Sequence, residues 1–327
     1  VMVMKNKPTV TVIGLSGQSL FFELERLPQT GETVLAKHVH EEPGGKGFNQ
    51  AVALARLGAS VNFITFVGRD AFGEKIFQTL KEAGVTSFVT QVKNQKTAIA
   101  SILTSQDGQN SVIVNPGVSD CISGEMLLPY EEVIAHSDIL LMQLEYPLSF
   151  IKTGLMLAQK HNVKTVINPA PFNKEAIPYL NQAFLLTPNL GEAKMLFGVS
   201  SDASLDKLKE RIKASKFSRL VITLGAEGAL LYQNNTFRHF PALALKSEEV
   251  IDTTGAGDAF NGALAYKLAL KNEIVEAIAF AIVASGLSVT RKHCLDAFPN
   301  IEEVERVVKE YEKEVAKNGT EIYAHLS

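Results

Sequence analysis

The sequence predicts an α/β protein: a mostly parallel sheet, covered by helices on both faces, with a smaller β-sheet set apart from it. Three observations carry this. Short aliphatic and β-branched runs alternate with helix-length segments along most of the chain. Glycine- or proline-rich turns follow several of the runs, at Gly44-Gly-Lys-Gly47, Asn168-Pro-Ala-Pro171 and Thr254-Gly-Ala-Gly257, where an open α/β sheet gathers its ligand loops. Between Val89 and Val114, short alternating segments run on with no helical pattern between them.

In order, Val10–Gly14 reads as a first buried strand, and Thr33–His40 alternates as a sheet-edge segment. Phe48–Leu57 is helical and stops at Gly58. A strand at Val61–Val67 and a helix at Ala71–Ala83 follow. Val89–Val92, Ala98–Thr104 and Ser111–Val114 are short strands, with a turn at Gln106-Asp-Gly-Gln109. Together, about 33–42 and 89–115 are expected to form the small sheet, as a lid on one domain spanning 1–327. Helices at Met126–Ala135, Leu148–His161, after Leu190 and at Leu205–Ser215 then alternate with strands at Ile139–Gln143, Thr165–Asn168, Phe184–Thr187 and Leu220–Leu224. A hairpin turns at Asn234-Asn235. The last third is helical, over Ala256–Lys271, Glu276–Val289 and Ile301–Val315.

The 327 residues include 46% hydrophobic ones, enough for a large core, without repeats or a long linker. A net charge of −3 offers no basic surface for nucleic acid or an anionic membrane. Cys121 and Cys294 have no Cys-x-x-Cys context and read as free thiols of a reducing compartment. The apolar run after Lys5 and Lys7 breaks at Gly14, too early for a signal peptide, and Ala277–Val289 is too short to span a bilayer. A soluble cytoplasmic protein is expected. His38, His40, His136, His161, His239 and His325 show no metal-ligand spacing with acidic partners.

The chemistry concentrates at Val250–Tyr266, read as the end of a strand, a tight Gly255-Ala256-Gly257 turn, and a helix with Asp258 in its first turn. The first amides of a helix lack intrahelical partners and sit at the positive end of the macrodipole, so such a turn can hold a phosphate. Asp258 beside it could take the proton of an attacking hydroxyl. Donors for developing negative charge next to a base suit phosphoryl transfer. The same pattern also serves as an ordinary helix start, and a dinucleotide fingerprint would need a third glycine.

Gly44-Gly-Lys-Gly-Phe-Asn49 is a second glycine-rich loop opening a helix. It lacks the spacing of a Walker loop and fits close backbone approach to a polar ligand, with Asn49 offering a donor and an acceptor. Glu145 lies just beyond a buried strand, and Asn189 and Glu192 follow another. Glu192 would also serve as a dipole-complementing helix-start residue. Ile222-Thr-Leu-Gly-Ala-Glu-Gly228 exposes backbone on which a nucleotide could pack.

Taken together these motifs resemble the ribokinase family of carbohydrate kinases, from Val12 to about Val304. The signatures are Gly44–Asn49 and Asp252–Asp258, supported by Gly31-Glu-Thr-Val34, Met142-Gln-Leu-Glu145, Asn168-Pro-Ala-Pro171, Asn189-x-x-Glu192, Thr223-Leu-Gly225 and Val289-Thr-Arg-Lys292. The resemblance implies a ribokinase-like three-layer α/β/α fold and transfer of the γ-phosphoryl group of MgATP to a hydroxymethyl group of a pentose or related small sugar; a nucleoside kinase of the same fold is the alternative. It implies Asp258 as the base and Gly255, Ala256 and Gly257 as the anion hole. Ser19, Gly44, Gly45, Lys46, Asn49 and Glu145 fall on the sugar side. Asn189, Thr223, Gly225 and Gly228 fall on the ATP side. Glu192 would organise Mg2+ through water, and Asp252 would bind an activating monovalent cation such as K+, completed by carbonyls around Val289–His293. The lid implies a homodimer.

Two departures stand out. The family usually carries an Asn and, two residues later, an Asp that grips two sugar hydroxyls; here Gly17 and Ser19 stand there. A lost charged acceptor removes a hydrogen bond worth roughly 1.5–3 kcal/mol. His293 replaces the glycine usual after the Arg-Lys pair.

Overall fold

The computed structural model describes residues 7–318, so Lys5 and His325 lie outside it. β1 (Thr9–Ile13), β2 (Gly17–Leu24) and β3 (His38–Gly44) come first, then α1 (Lys46–Arg56), β4 (Ser60–Gly68), α2 (Ala71–Glu82) and β5 (Thr86–Val92). The hairpin β6 (Ala98–Ser105) and β7 (Asn110–Asn115) precedes α3 (Glu131–Ala135). Next come β8 (Ile139–Met142), α4 (Leu148–Lys160), β9 (Lys164–Ile167), the one-turn α5 (Ile177–Leu180), β10 (Leu185–Leu186) and α6 (Leu190–Leu196). After α7 (Leu205–Lys213) and β11 (Arg219–Thr223), the hairpin β12 (Ala229–Gln233) and β13 (Thr236–Phe240) leads to α8 (Ala256–Ala269), α9 (Ile274–Ser288) and α10 (Ile301–Asn318).

Nine strands form one sheet in the order β13-β12-β11-β10-β9-β8-β1-β4-β5, parallel except that β12 runs antiparallel to both β11 and β13. Asn234 and Asn235 both adopt positive φ (52° and 59°), as the tight turn of that hairpin requires. Strand residues alternate between two apolar layers. Val10 and Val12 of β1 face the layer built with α1, α2, α8, α9 and α10, while Ile13 faces the one built with α3 to α7. The arrangement is three-layered α/β/α. α8 and α9 are apolar nearly all round because both are buried within the first layer.

The small sheet has the order β3-β2-β6-β7, and its membership differs from expectation in three ways. β2 was not foreseen: no element was assigned between Gly14 and Thr33, yet Gly17–Leu24 pairs along its whole length with β6. Thr33–Lys37 is not a strand. Its alternation has nothing to pack against, and Leu35 is 88% exposed; the ladder starts at His38. Val89–Val92 belongs to the edge of the large sheet, where β5 pairs with β4. Elsewhere, the helix expected over 126–135 begins as a 3-10 turn at Gly124–Tyr130, because Pro129 withholds an amide from the α pattern. Among the described residues no helix is long and apolar enough to cross a membrane.

Candidate active site

The chain order reverses at β1, with β4 and β5 to one side and β8 to β11 to the other. Ligands of open α/β sheets gather at the carboxyl ends of strands around such a point. Gln143 and Glu145 leave β8 there, Asn168 leaves β9, Thr187 leaves β10, and β11 ends at Thr223.

The turn ahead of α8 sits at this edge. Val250–Thr254 is not the strand end that its β-branched residues predict. It has no ladder partner and is tied to the end of α9 instead, Ile251 N and Asp252 N donating to Val289 O at 2.8 and 3.2 Å. Gly255, the N-cap of α8, has φ +78°, and a Cβ there would run into Cys294 Sγ. A Cβ on Gly257 would meet nothing within 4 Å, so this part of the turn faces open space. Asp258 lies in the first helical turn and is 7% exposed.

α1 and α8 bring the two glycine loops together across a sequence separation of 209 residues. Asn49 Nδ2 donates to Asp258 Oδ2 at 2.9 Å, and Gln50 Nε2 donates to Asp258 Oδ1 at 3.1 Å. Asn49 Oδ1 is buried with no hydrogen-bond partner, so it is an acceptor available to a ligand. Gly45 (φ +102°) is required where the loop presses on Leu15 O, to which Phe48 N donates at 3.1 Å. Lys46 N donates to Glu145 Oε1 at 2.5 Å.

The charges are coupled. Burial pushes the Asp258 carboxyl up, opposed by Lys46 and by the Asn49 and Gln50 amides. Burial raises Glu145 to about 7 against the pull of Lys46, with Asp258 adding to the rise. Burial works to lower Lys46, but Asp258, Glu145 and Glu192 hold its ammonium above the usual lysine range. Burial also pushes the Cys294 thiol up, as do the charges of Asp258, Glu42 and Asp252.

Two cavities meet on the Thr253–Asp258 turn. One, of about 390 Å³, is polar at its floor, where Gly255 and Asp258 lie. All six residues assigned to the sugar, Ser19, Gly44, Gly45, Lys46, Asn49 and Glu145, line it. The other, of about 330 Å³, is lined by Ala256 and Gly257 on one side and by Thr223, Gly225 and Gly228 on another, with Leu243 and Val289 among its apolar walls. Asn189 and Glu192 do not line it. Asn189 bridges to Thr223 in parallel register, and Asn189 and Glu192 form a reciprocal capping box, Glu192 N donating to Asn189 Oδ1 and Asn189 N to Glu192 Oε2, both at 2.8 Å. Asp252 clamps two loops, accepting from Thr254 N at 2.9 Å and His293 N at 3.0 Å.

Several residues of the site were not singled out from the sequence. Gln50 Nε2 also donates to Asn168 Oδ1 (3.2 Å), and its own Oε1 accepts from Gln143 Nε2 (2.6 Å). Asn168 Nδ2 donates to Thr187 O (3.1 Å), Thr187 Oγ1 to Asn261 Oδ1 (2.6 Å) and Asn261 Nδ2 to Gly257 O (2.9 Å). A buried polar chain thus links Asp258 back to the turn beside it. The available signal was the run of amide and hydroxyl residues at strand ends. Glu42, 8% exposed, lines the polar cavity beside Ser19.

Known carbohydrate kinases resemble this chain over nearly its whole length. The chain is 37% identical to a ribokinase of Lactococcus lactis over 307 residues, covering 93% of this chain and 98% of that one. It is 33% identical to a ribokinase of Haemophilus influenzae over 300 residues, covering 91% and 97%. The structure of Arabidopsis thaliana ribokinase complexed with ribose and ATP superposes with a TM-score of 0.84 at 28% identity, covering 93% of this chain and 99% of that one. The family described as pfkB family carbohydrate kinase matches residues 7–313, and the chain belongs to that family of carbohydrate kinases.

Proposed function

We propose that this sugar kinase transfers the γ-phosphoryl group of ATP to a hydroxymethyl group of a pentose or related small sugar. The observation that carries the reading is the meeting of two cavities on one turn, the polar one at Asp258 and the more apolar one at Ala256 and Gly257. A sugar in the first would present its hydroxyl to Asp258, which accepts the proton. ATP in the second would place its terminal phosphate against the turn. There the Gly255 and Gly257 amides have no backbone acceptor among the described residues, while Ala256 N donates to Thr253 O at 3.2 Å. The Gly255 and Gly257 amides would stabilise the transferring oxygens. A base raised by burial is suited to that task, since its proton affinity approaches what the transfer needs.

Glu192 supports a place for Mg2+ through water. Its Oε1 accepts no hydrogen bond among the described residues, and it shares the field of Lys46. The ion would neutralise phosphate oxygens as charge develops. Each Asp252 oxygen has accepted one amide hydrogen and retains acceptor capacity, which fits a monovalent cation such as K+ held beside the turn. A homodimer through the small sheet is supported by its edge strand β7, where Val112, Ile113 and Val114 are 54%, 65% and 62% exposed. A cytoplasmic location fits the two free cysteines.

Phe21, Ile102 and Val114 lie on the small-sheet side of the polar cavity and could stack a base, which favours a nucleoside as the second reading. The deciding measurement is ADP release with pentoses, hexoses and nucleosides as acceptors. Turnover of a pentose above the others upholds the proposal, and turnover of nucleosides alone overturns it.

A further inference from the structure

The polar cavity holds a carboxylate that the transfer chemistry does not use. Glu42 lies on β3 directly opposite Ser19 of β2, two residues before Gly44, so its side chain shares the cavity face with both. It is 8% exposed. Its Oε1 accepts one hydrogen bond, from Cys294 N at 3.3 Å. Its Oε2 accepts none among the described residues; His40 Nε2 is 3.5 Å away and is itself buried without a hydrogen-bond partner. The His40 ring is itself stacked on His293 at 3.6 Å. A largely buried carboxylate with an unfilled oxygen is costly unless something donates to it. Glu42 lines the cavity, so a ligand hydroxyl entering it can supply that donor in place of solvent.

We infer that Glu42 is a specificity-determining residue, accepting a hydrogen bond through Oε2 from a ring hydroxyl of the acceptor sugar while Asp258 faces the hydroxyl that is phosphorylated. The inference rests on the sugar-kinase reading and deepens it. Asn49 Oδ1 and Gln18 Oε1, two further unfilled acceptors on residues lining the cavity, are placed to take other donors of the same ligand. The cavity therefore presents acceptors set for hydroxyl donors. The one ammonium near its floor, on Lys46, already answers Asp258, Glu145 and Glu192. The acceptor class this selects is an uncharged sugar rich in hydroxyls rather than a sugar already carrying a phosphate.

The test compares the wild type with Glu42→Gln and Glu42→Ala on whichever of D-ribose, D-arabinose and D-xylose the wild type turns over with the highest kcat/KM, and on the monodeoxy derivatives of that sugar. KM for the parent sugar should rise about 10- to 100-fold in Glu42→Ala, and less in Glu42→Gln, which keeps a neutral acceptor. KM for ATP should stay within about twofold. For one deoxy derivative, the one lacking the held hydroxyl, Glu42→Ala should cost little further. A sugar KM that does not move overturns the assignment. So does a rise of equal size for every deoxy derivative, or one accompanied by an equal rise for ATP and a lower Tm in Glu42→Gln, since those mark a structural role. Wild-type enzyme inactive on all three pentoses strikes the sugar reading first and this inference with it.

Discussion

Gln50 Nε2 lies 3.1 Å from Asp258 Oδ1, so the proposed base is held from α1 as well as by its own helix. The same side chain accepts from Gln143 Nε2 and reaches Asn168 Oδ1, which ties the orientation of Asp258 to the ends of β8 and β9. A buried carboxylate without such donors would be pushed further toward its protonated form.

Gln50→Leu should therefore lower kcat/KM by about 10- to 100-fold and move the acid limb of the pH–rate profile to higher pH, because one of the two amides that favour ionised Asp258 is gone. Gln50→Glu, which replaces the donating amide with a carboxylate, should shift the limb further in the same direction. A profile that keeps its wild-type limb in both variants would deny Gln50 any role beyond packing.

Asp258→Asn removes the base while leaving a side chain of the same size between Asn49 and Gln50. The expected loss in kcat is about 10²- to 10⁴-fold, read as ADP release at saturating sugar and ATP. Both KM values should change far less than kcat. Turnover within about threefold of wild type would remove Asp258 from the chemistry.

The α/β alternation was legible because long helices such as 71–82 and buried strands such as 61–67 carry their periods in the sequence itself. What failed was local evidence for events decided at a distance. Thr33–Leu35 alternates like a strand but finds no surface, and Leu35 is left in solvent. Gly17–Ser19 carries no strand pattern of its own but becomes a strand where β6 and β3 flank it. The two glycine loops announced themselves as ligand loops. That they share one cavity floor depends on α1 packing against α8, which nothing local encodes. For the same reason Gln50 passed as an ordinary helical residue, and Glu42 as one of two glutamates in a strand. Asn189 and Glu192 were legible as a helix start, and the capping box bears that part out.

Glu145 gives stability a pH dependence with a definite sign. Its carboxyl rises from 4.5 in the unfolded chain to about 7 in the fold, chiefly by burial. Between those values the folded state binds more protons than the unfolded one, so stability contributed here falls as pH rises from about 4.5 to about 7 and stays reduced above. Glu145→Gln keeps an acceptor for Lys46 N and abolishes the penalty. Because the side chain is partly open to the cavity, the expected gain is about 1–2 kcal/mol. It should appear in denaturant midpoints at pH 8 and be nearly absent at pH 4.5. Equal gain at both pH values would refute the electrostatic origin.

Gly255 and Gly257 should separate folding from catalysis within one turn. Alanine at 255 must adopt φ near +78° and place its methyl against Cys294 Sγ. The left-handed conformation alone costs about 1–2 kcal/mol, and the clash adds to it. Gly255→Ala should thus lower Tm by several degrees, and Cys294→Ala in the same chain should recover the clash component but not the backbone one. Alanine at 257 meets no protein atom within 4 Å and joins a helix, where Ala is favoured over Gly by about 1 kcal/mol. Gly257→Ala should fold at least as well as wild type, yet its methyl projects into the space where the transferring phosphate would approach the turn amides. A fall in kcat of about 10-fold or more at unchanged or higher Tm is the expected outcome. Full activity in Gly257→Ala would mean that the phosphate does not sit on this turn.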